Sequence, residues 1–286
     1  MSRAAIVLPG PRSVPSAAAD FPRSFGDLST WSPDALWVDG RLPLHDEAMV
    51  AIVGSRSASL EACRRVSALA GALAGDGFSI VSGGALGIDA AAHRGALAAH
   101  GTTFAVLGCG IDIVYPDRHV GLFREIAATG GLLSEYGPGV QPRKGQFPAR
   151  NRLVAALARV VIVGECRTRS GALITAKIAR RLGRRLCALP GSSGADALLA
   201  AGSAWPVSSS ADVAAALAGV PIPVATVSEG NERLRRALDG GPTTAEDVAA
   251  RLGQPLSEVL GLLCEGELDG WILRRAGGRF EVHRGH

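Results

Sequence analysis

The sequence predicts an α/β protein: a mostly parallel sheet with helices on both faces, plus a small C-terminal winged-helix domain. Three observations predict it. Short, unbroken apolar runs alternate with helical stretches of about a dozen residues from Met49 to Leu189. Three of those runs end in glycine-rich turns that open helices. Beyond Asn231 the pattern changes to three helices and a hairpin centred on Gly277-Gly278.

Taken in order, Ala4–Leu8 is followed by Pro9, Pro11, Pro15 and Ala17–Ala19, so the start reads as a loose leader, set at residues 1–36. Met49–Val53 is a buried strand ending at Gly54, and Leu60–Ala74 an Ala/Leu helix closed by Gly75-Asp76-Gly77. Phe78–Val81, Thr103–Leu107, Leu132–Ser134, Val160–Val163 and Leu186–Leu189 are the next strands. Gly87–Ala99, Arg118–Ala128, Arg152–Ala158 and Ser170–Leu182 are the helices between them. This main domain spans 37–218. The Pro/Gly-rich stretch 219–229 is a linker by composition. In the domain 230–286, Arg233–Leu238, a helix capped by Thr243-Thr244 and running through Leu252, and Pro255–Glu265 precede strands Trp271–Arg274 and Arg279–Val282.

Composition narrows the function. Of 286 residues 47% are hydrophobic, which indicates globular packing. Five cysteines, odd in number and with no CxxC pair, argue for reduced thiols in a cytoplasmic protein and against structural zinc. No apolar run approaches the ~20 residues of a membrane span. Between Arg143 and Arg185 stand twelve cations and one carboxylate, Glu165, although the whole chain is only +4. So concentrated a charge is the footprint of a polyanion, most commonly nucleic acid. Phe147 lies between Lys144 and Arg150, and an aromatic among cations suits a single strand whose bases can stack.

The glycine turns are Val53-Gly54-Ser55-Arg56-Ser57, Ser82-Gly83-Gly84-Ala85-Leu86-Gly87-Ile88-Asp89 and Gly108-Cys109-Gly110-Ile111-Asp112. In a parallel sheet all three lie at the carboxyl edge, where helix N-termini favour anions. None is a GxGxxG fingerprint and no P-loop occurs, which disfavours nicotinamide and ATP chemistry. No cofactor is expected. Asp89, Asp112, Glu135 and Glu165 read as capping and loop-ordering acids, and His93 as a packed histidine. Ser55 and Ser170 lack His–Asp partners.

These turns, with Tyr115-Pro116, Ser134-Glu135-Tyr136, Phe147-Pro148-Ala149-Arg150-Asn151-Arg152, Ser170-Gly171-Ala172-Leu173-Ile174-Thr175-Ala176 and Pro190-Gly191, resemble the DprA/Smf family of DNA-processing proteins over about residues 37–218. The resemblance implies an extended Rossmann-like domain that binds single-stranded DNA and forms a homodimer. It implies loading of the RecA recombinase during natural transformation, with no catalytic turnover. Carried over, the DNA-contacting positions are Arg56, Lys144, Phe147, Arg150, Asn151, Arg152, Ser170, Gly171 and Thr175. Ser55 and Gly83 in the turns and Lys177 in the charge stripe complete the candidate set. The chain departs from the family at Leu86, where a basic residue is usual, in a shortened loop after Pro190-Gly191, and in a short leader where the family often has a helical domain.

The winged helix carries eight basic and nine acidic residues from Gly230 to His286, and Pro255–Glu265 has no cation. A recognition helix that meets phosphates should be basic, so this module is expected to bind protein or pack on the main domain. Two rival functions remain in view. A nucleotide phosphoribohydrolase on a related core would need a Pro-Gly-Gly-x-Gly-Thr segment, which Pro190-Gly191-Ser192-Ser193 does not supply. A nucleotide-binding sensor would use the same turns and be stabilised by a nucleotide rather than by oligo-dT.

Overall fold

The structure, a computed structural model, describes residues 10–219, 230–268, 272–275 and 277–282. The first nine residues and nearly all of the assigned linker lie outside that set. Seven parallel strands form the body of the sheet: β3 Met49–Val53, β4 Ser79–Ser82, β5 Thr103–Leu107, β6 Gly131–Ser134, β7 Val160–Val163, β8 Arg185–Ala188 and β9 Trp205–Pro206. Two earlier strands, β1 Arg12–Pro15 and β2 Ala35–Gly40, extend one edge antiparallel, giving the order β1-β2-β6-β5-β4-β3-β7-β8-β9.

The connecting helices are α1 Leu60–Gly75, α2 Ile88–Ala98, α3 Val120–Thr129, α4 Gln146–Leu157, α5 Gly171–Arg181, α6 Ser193–Ala200 and α7 Ser210–Ala218. Successive strand residues face opposite layers. Val50 and Ile52 pack with Val66, Leu69, Leu73 and Ile88 from α1 and α2. Ala51 and Val53 pack on the other face with Leu153, Val154 and Ile178 from α4 and α5. Both faces are covered, which is why the strands read as unbroken apolar runs.

The N-terminal expectation needs correction. Residues 12–36, assigned to the leader, instead belong with 37–40 to the main domain. Val14, Phe25, Leu28, Trp31 and Leu36 are buried in its core, and a 3-10 segment at Arg23–Trp31 joins the two added strands. Proline-rich composition concealed this, because scattered large side chains carry no periodicity. The helix expected from Arg152 begins at Gln146 instead. Pro148 sits in its first turn, where a missing N–H costs no helical hydrogen bond. The short segment after Pro190-Gly191 folds as α6.

The C-terminal module is α8 Gly230–Leu238, β10 Thr243–Thr244, α9 Ala245–Leu252, α10 Leu256–Leu268, β11 Ile272–Arg275 and β12 Arg279–Val282. Its small antiparallel sheet has the order β10-β12-β11. Leu234, Leu238, Val248, Val259, Leu263, Ile272 and Phe280 form a core of its own. The Thr244 hydroxyl caps α9 by accepting the Asp247 N–H at 3.2 Å. Helix α10 packs against α4, α5 and the 3-10 segment of the main domain.

Candidate nucleic-acid interface

Chain order reverses in the sheet between β3 and β7. Loops leaving the carboxyl ends of these neighbours part to opposite faces, and a crevice opens between them. A cavity of 990 Å³ fills it. The turn after β3, the turn after β4, the start of α4, the loop after β7 and the N-terminus of α5 are its walls.

Arg150 forms the floor and is only 4% exposed. Its Nη1 donates to the Gly83 carbonyl at 2.6 Å and also to the Val106 carbonyl, so one guanidinium ties α4 to the ends of β4 and β5. A Cβ at Gly83 would collide with this guanidinium and with the Asp89 carboxylate, which accepts the Ala85 N–H at 3.3 Å. Burial pushes the Asp89 carboxyl up, while Arg150 and Arg56 pull it back. Burial likewise pushes Arg150 down, and Asp89 opposes that. Each group limits the desolvation cost of the other.

Above this floor the half-buried Phe147 ring lies 5.3 Å from Tyr115, centroid to centroid, and the exposed Arg56 guanidinium sits 5.1 Å from its centre. Gly108 packs beneath it: a Cβ there would be 2.8 Å from the ring. The third glycine turn therefore supports the aromatic instead of lining the main cavity. Leu86, where the resemblance expects a cation, lines an adjoining recess of 60 Å³ with Leu107 and Pro116.

The rim is cationic. Arg56, Lys144, Arg167 and Arg169 are exposed and border the cavity. The first turn of α5 borders it too, with the Ser170 hydroxyl accepting the Ala172 N–H at 3.3 Å, so the positive end of that helix faces the opening. Glu165, the one acid of the stripe, reaches across the crevice to the N-cap of α1. It accepts the Ser59 hydroxyl at 2.6 Å and the Ser59 N–H at 3.1 Å.

Of the residues singled out in the sequence, Ser55, Arg56, Gly83, Lys144, Phe147, Arg150, Asn151, Ser170, Gly171 and Thr175 line this one cavity. Arg152 and Lys177 do not. Arg152 is 2% exposed; it pairs with Glu135 through two 2.7 Å bonds, donates Nε to the Trp31 carbonyl, and stacks 4.8 Å from the Trp31 ring. Lys177 is two residues beyond Thr175, about 200° round α5, and points away from the cavity. The stripe is thus divided: Arg184 pairs with Asp27 at 2.5 Å, and Arg185 bonds the Gly219 carbonyl.

Tyr115, Arg167 and Arg169, outside the candidate set although they stand in the motifs and the charge stripe, and the α10 residues Leu256, Ser257 and Leu260 also line the cavity. The two arginines stand in the stripe just before Ser170, which is the signal for them. Nothing local marks the α10 residues. Asp112 accepts the Gly139 N–H at 2.8 Å, a loop-ordering bond. Among the described residues no group of three or more His, Cys, Asp or Glu side chains is placed to hold a metal ion, and no helix is long and apolar enough to cross a membrane.

The family model described as DNA recombination-mediator protein A matches residues 13–218, and the DprA winged-helix model matches 220–278. The chain belongs to the DprA/Smf family. A putative DNA processing protein DprA of Mycobacterium tuberculosis is 40% identical over 273 residues, covering 86% of this chain and 70% of that one. Protein Smf of Synechocystis is 45% identical over 178 residues, covering 60% of this chain; the match spans 44% of the longer Smf chain. Among solved structures, DNA processing protein A of Streptococcus pneumoniae superposes with a TM-score of 0.68 at 39% identity, covering 73% of this chain and 75% of its own. DNA processing protein A of Helicobacter pylori, solved for its single-stranded DNA binding mode, gives 0.65 at 34% identity, covering 71% and 93%.

Proposed function

We propose that this member of the DprA/Smf family binds single-stranded DNA in the cleft between the β3 and β7 loops. It passes the strand to the RecA recombinase during natural transformation, as a homodimer and without chemical turnover. One observation carries the reading: four exposed cations and a half-buried aromatic ring line a single cavity. Phosphates meet the cations, and an unpaired base stacks on Phe147, a contact closed to a paired base. That the Helicobacter relative was solved for its single-stranded DNA binding mode supports single-stranded DNA as the ligand. The acids at the cleft support binding over catalysis, since Asp89 is tied to backbone N–H and Glu165 to the α1 cap.

The test is fluorescence anisotropy of labelled oligo-dT at two salt concentrations, with wild type, Lys144→Glu and Arg56→Glu. The expected result is wild-type binding that weakens steeply with salt. Both folded variants are expected to lose roughly tenfold or more, since each replaces an attraction to phosphate by a repulsion. Wild-type affinity in both variants would overturn the site. For the recombinase step, the readout is recombinase assembly on the bound oligonucleotide, which Lys144→Glu should abolish.

A further inference from the structure

In a winged helix the third helix is the one that ordinarily enters a duplex groove. Here that helix is α10, and it is turned inward. Gly261 lies against Ile174 of α5 so closely that a Cβ would sit 3.2 Å from it. Cys264 is buried in the main-domain core. Leu260 reaches the segment before α4, 3.7 Å from where a Cβ on Gly145 would stand. Farther along, Glu267 is 7% exposed and faces Arg274 at 3.5 Å. At the start of the same helix, Leu256, Ser257 and Leu260 line the 990 Å³ cavity.

We propose that α10 is the closing wall of the strand cleft: the winged helix acts within its own chain, narrowing the cleft so that it admits one strand and not a duplex. The inference rests on the single-strand reading above. The wall has the chemistry for it. Helix α10 carries no cation, so phosphates are held by Arg56, Lys144, Arg167 and Arg169, which border the same cavity from the main domain. Half-buried Leu256 presents apolar surface to bases with the buried Leu260 behind it, while half-buried Glu258 adds an acid on the same helix. Docked in this way, α10 has its groove-reading face covered by α4 and α5, which removes the duplex-binding use of the module.

The test places one new cation on the wall of the full-length chain. Ser257 is exposed and lines the cavity, whereas Ala250 is exposed on α9 and does not. With oligo-dT, Ser257→Arg is expected to tighten binding roughly fivefold and to raise the salt slope by about one, as one added phosphate contact would. Ala250→Arg, with the same charge change, should leave both unchanged. A second variant, Gly261→Glu, forces α10 off Ile174 and should lower the ratio of oligo-dT affinity to duplex affinity. Ser257→Arg behaving like Ala250→Arg while wild type binds oligo-dT would overturn the wall and leave the strand site standing. An unchanged single-strand to duplex ratio in Gly261→Glu would also overturn the wall. Absence of wild-type binding at low salt would overturn the strand site, and the wall with it.

Discussion

At the scale of single residues, buried polar side chains tie together the strand ends on which the cleft stands. Arg150 joins three elements through its Nη1 bonds to the Gly83 and Val106 carbonyls. His93, fully buried on α2, bonds the Thr103 hydroxyl at 2.7 Å. That hydroxyl donates its proton to the Ile80 carbonyl at 2.9 Å. Nδ1 of His93 must therefore carry the hydrogen and donate, which leaves Nε2 bare, without a hydrogen-bond partner among the described residues. Burial pushes the imidazole down to about 3. The unfolded chain takes up this proton near 6.5, so stability is complete above that pH and is lost as pH falls toward 3. The expected slope is about 1.4 kcal/mol per pH unit within this window. Urea midpoints at pH 7 and 5 should show it for wild type, and His93→Leu should flatten it.

At the scale of elements, the N-terminus of α5 separates binding from stability. Gly171 occupies its first turn at the cleft, and a Cβ there meets nothing within 4 Å. A glutamate fits, removes the entropic cost of glycine, and favours the positive end of the helix. Gly171→Glu is therefore expected to keep or raise thermal stability by about 0.5–1 kcal/mol. The same carboxylate would repel phosphate, so oligo-dT affinity should drop roughly tenfold. A parallel loss of both quantities would instead assign Gly171 a packing role. Helix α4 makes the same point about location. Pro148 in its first turn lets the helix start early enough to hold Phe147, Arg150 and Asn151 at the cavity. A helix read only from Arg152 leaves these residues outside it, whereas the helix begins at Gln146.

At the scale of the whole molecule, the two domains meet through a buried charge cluster. Glu267 of α10 faces Arg274 of its own domain, with Arg152 and Glu135 of the main domain close enough to act on it. Burial pushes the Glu267 carboxyl up to about 7, the arginines pulling it down and Glu135 pushing it further up. Its folded value lies above the ordinary 4.5, so the proton is held on folding, and stability falls as pH rises from 4.5 to 7. The sign is opposite to that of His93. Glu267→Gln should thus be stabilising relative to wild type at pH 8 and much less so at pH 5, with a difference of up to roughly 3 kcal/mol. Paired melts at the two pH values measure it.

The sequence by itself determined the central strands from Met49 to Leu189 and the helices between them, because burial on both faces requires unbroken apolar runs and glycine turns between them. It also determined the family and most of the residues at the cleft, since Arg56, Phe147 and Ser170 stand in compact motifs. Tertiary structure alone decided which members of the charge stripe face that cleft. Lys144, Arg150, Arg167 and Arg169 line it, while Arg152 and Arg184 are held by Glu135 and Asp27, acids on other elements. It likewise decided that residues 12–40 complete the sheet and that α10 borders the cavity. The physical reason is the same in each case. A local pattern sets what an element is, but the face a side chain presents depends on which distant element packs against it, and that depends on strand order.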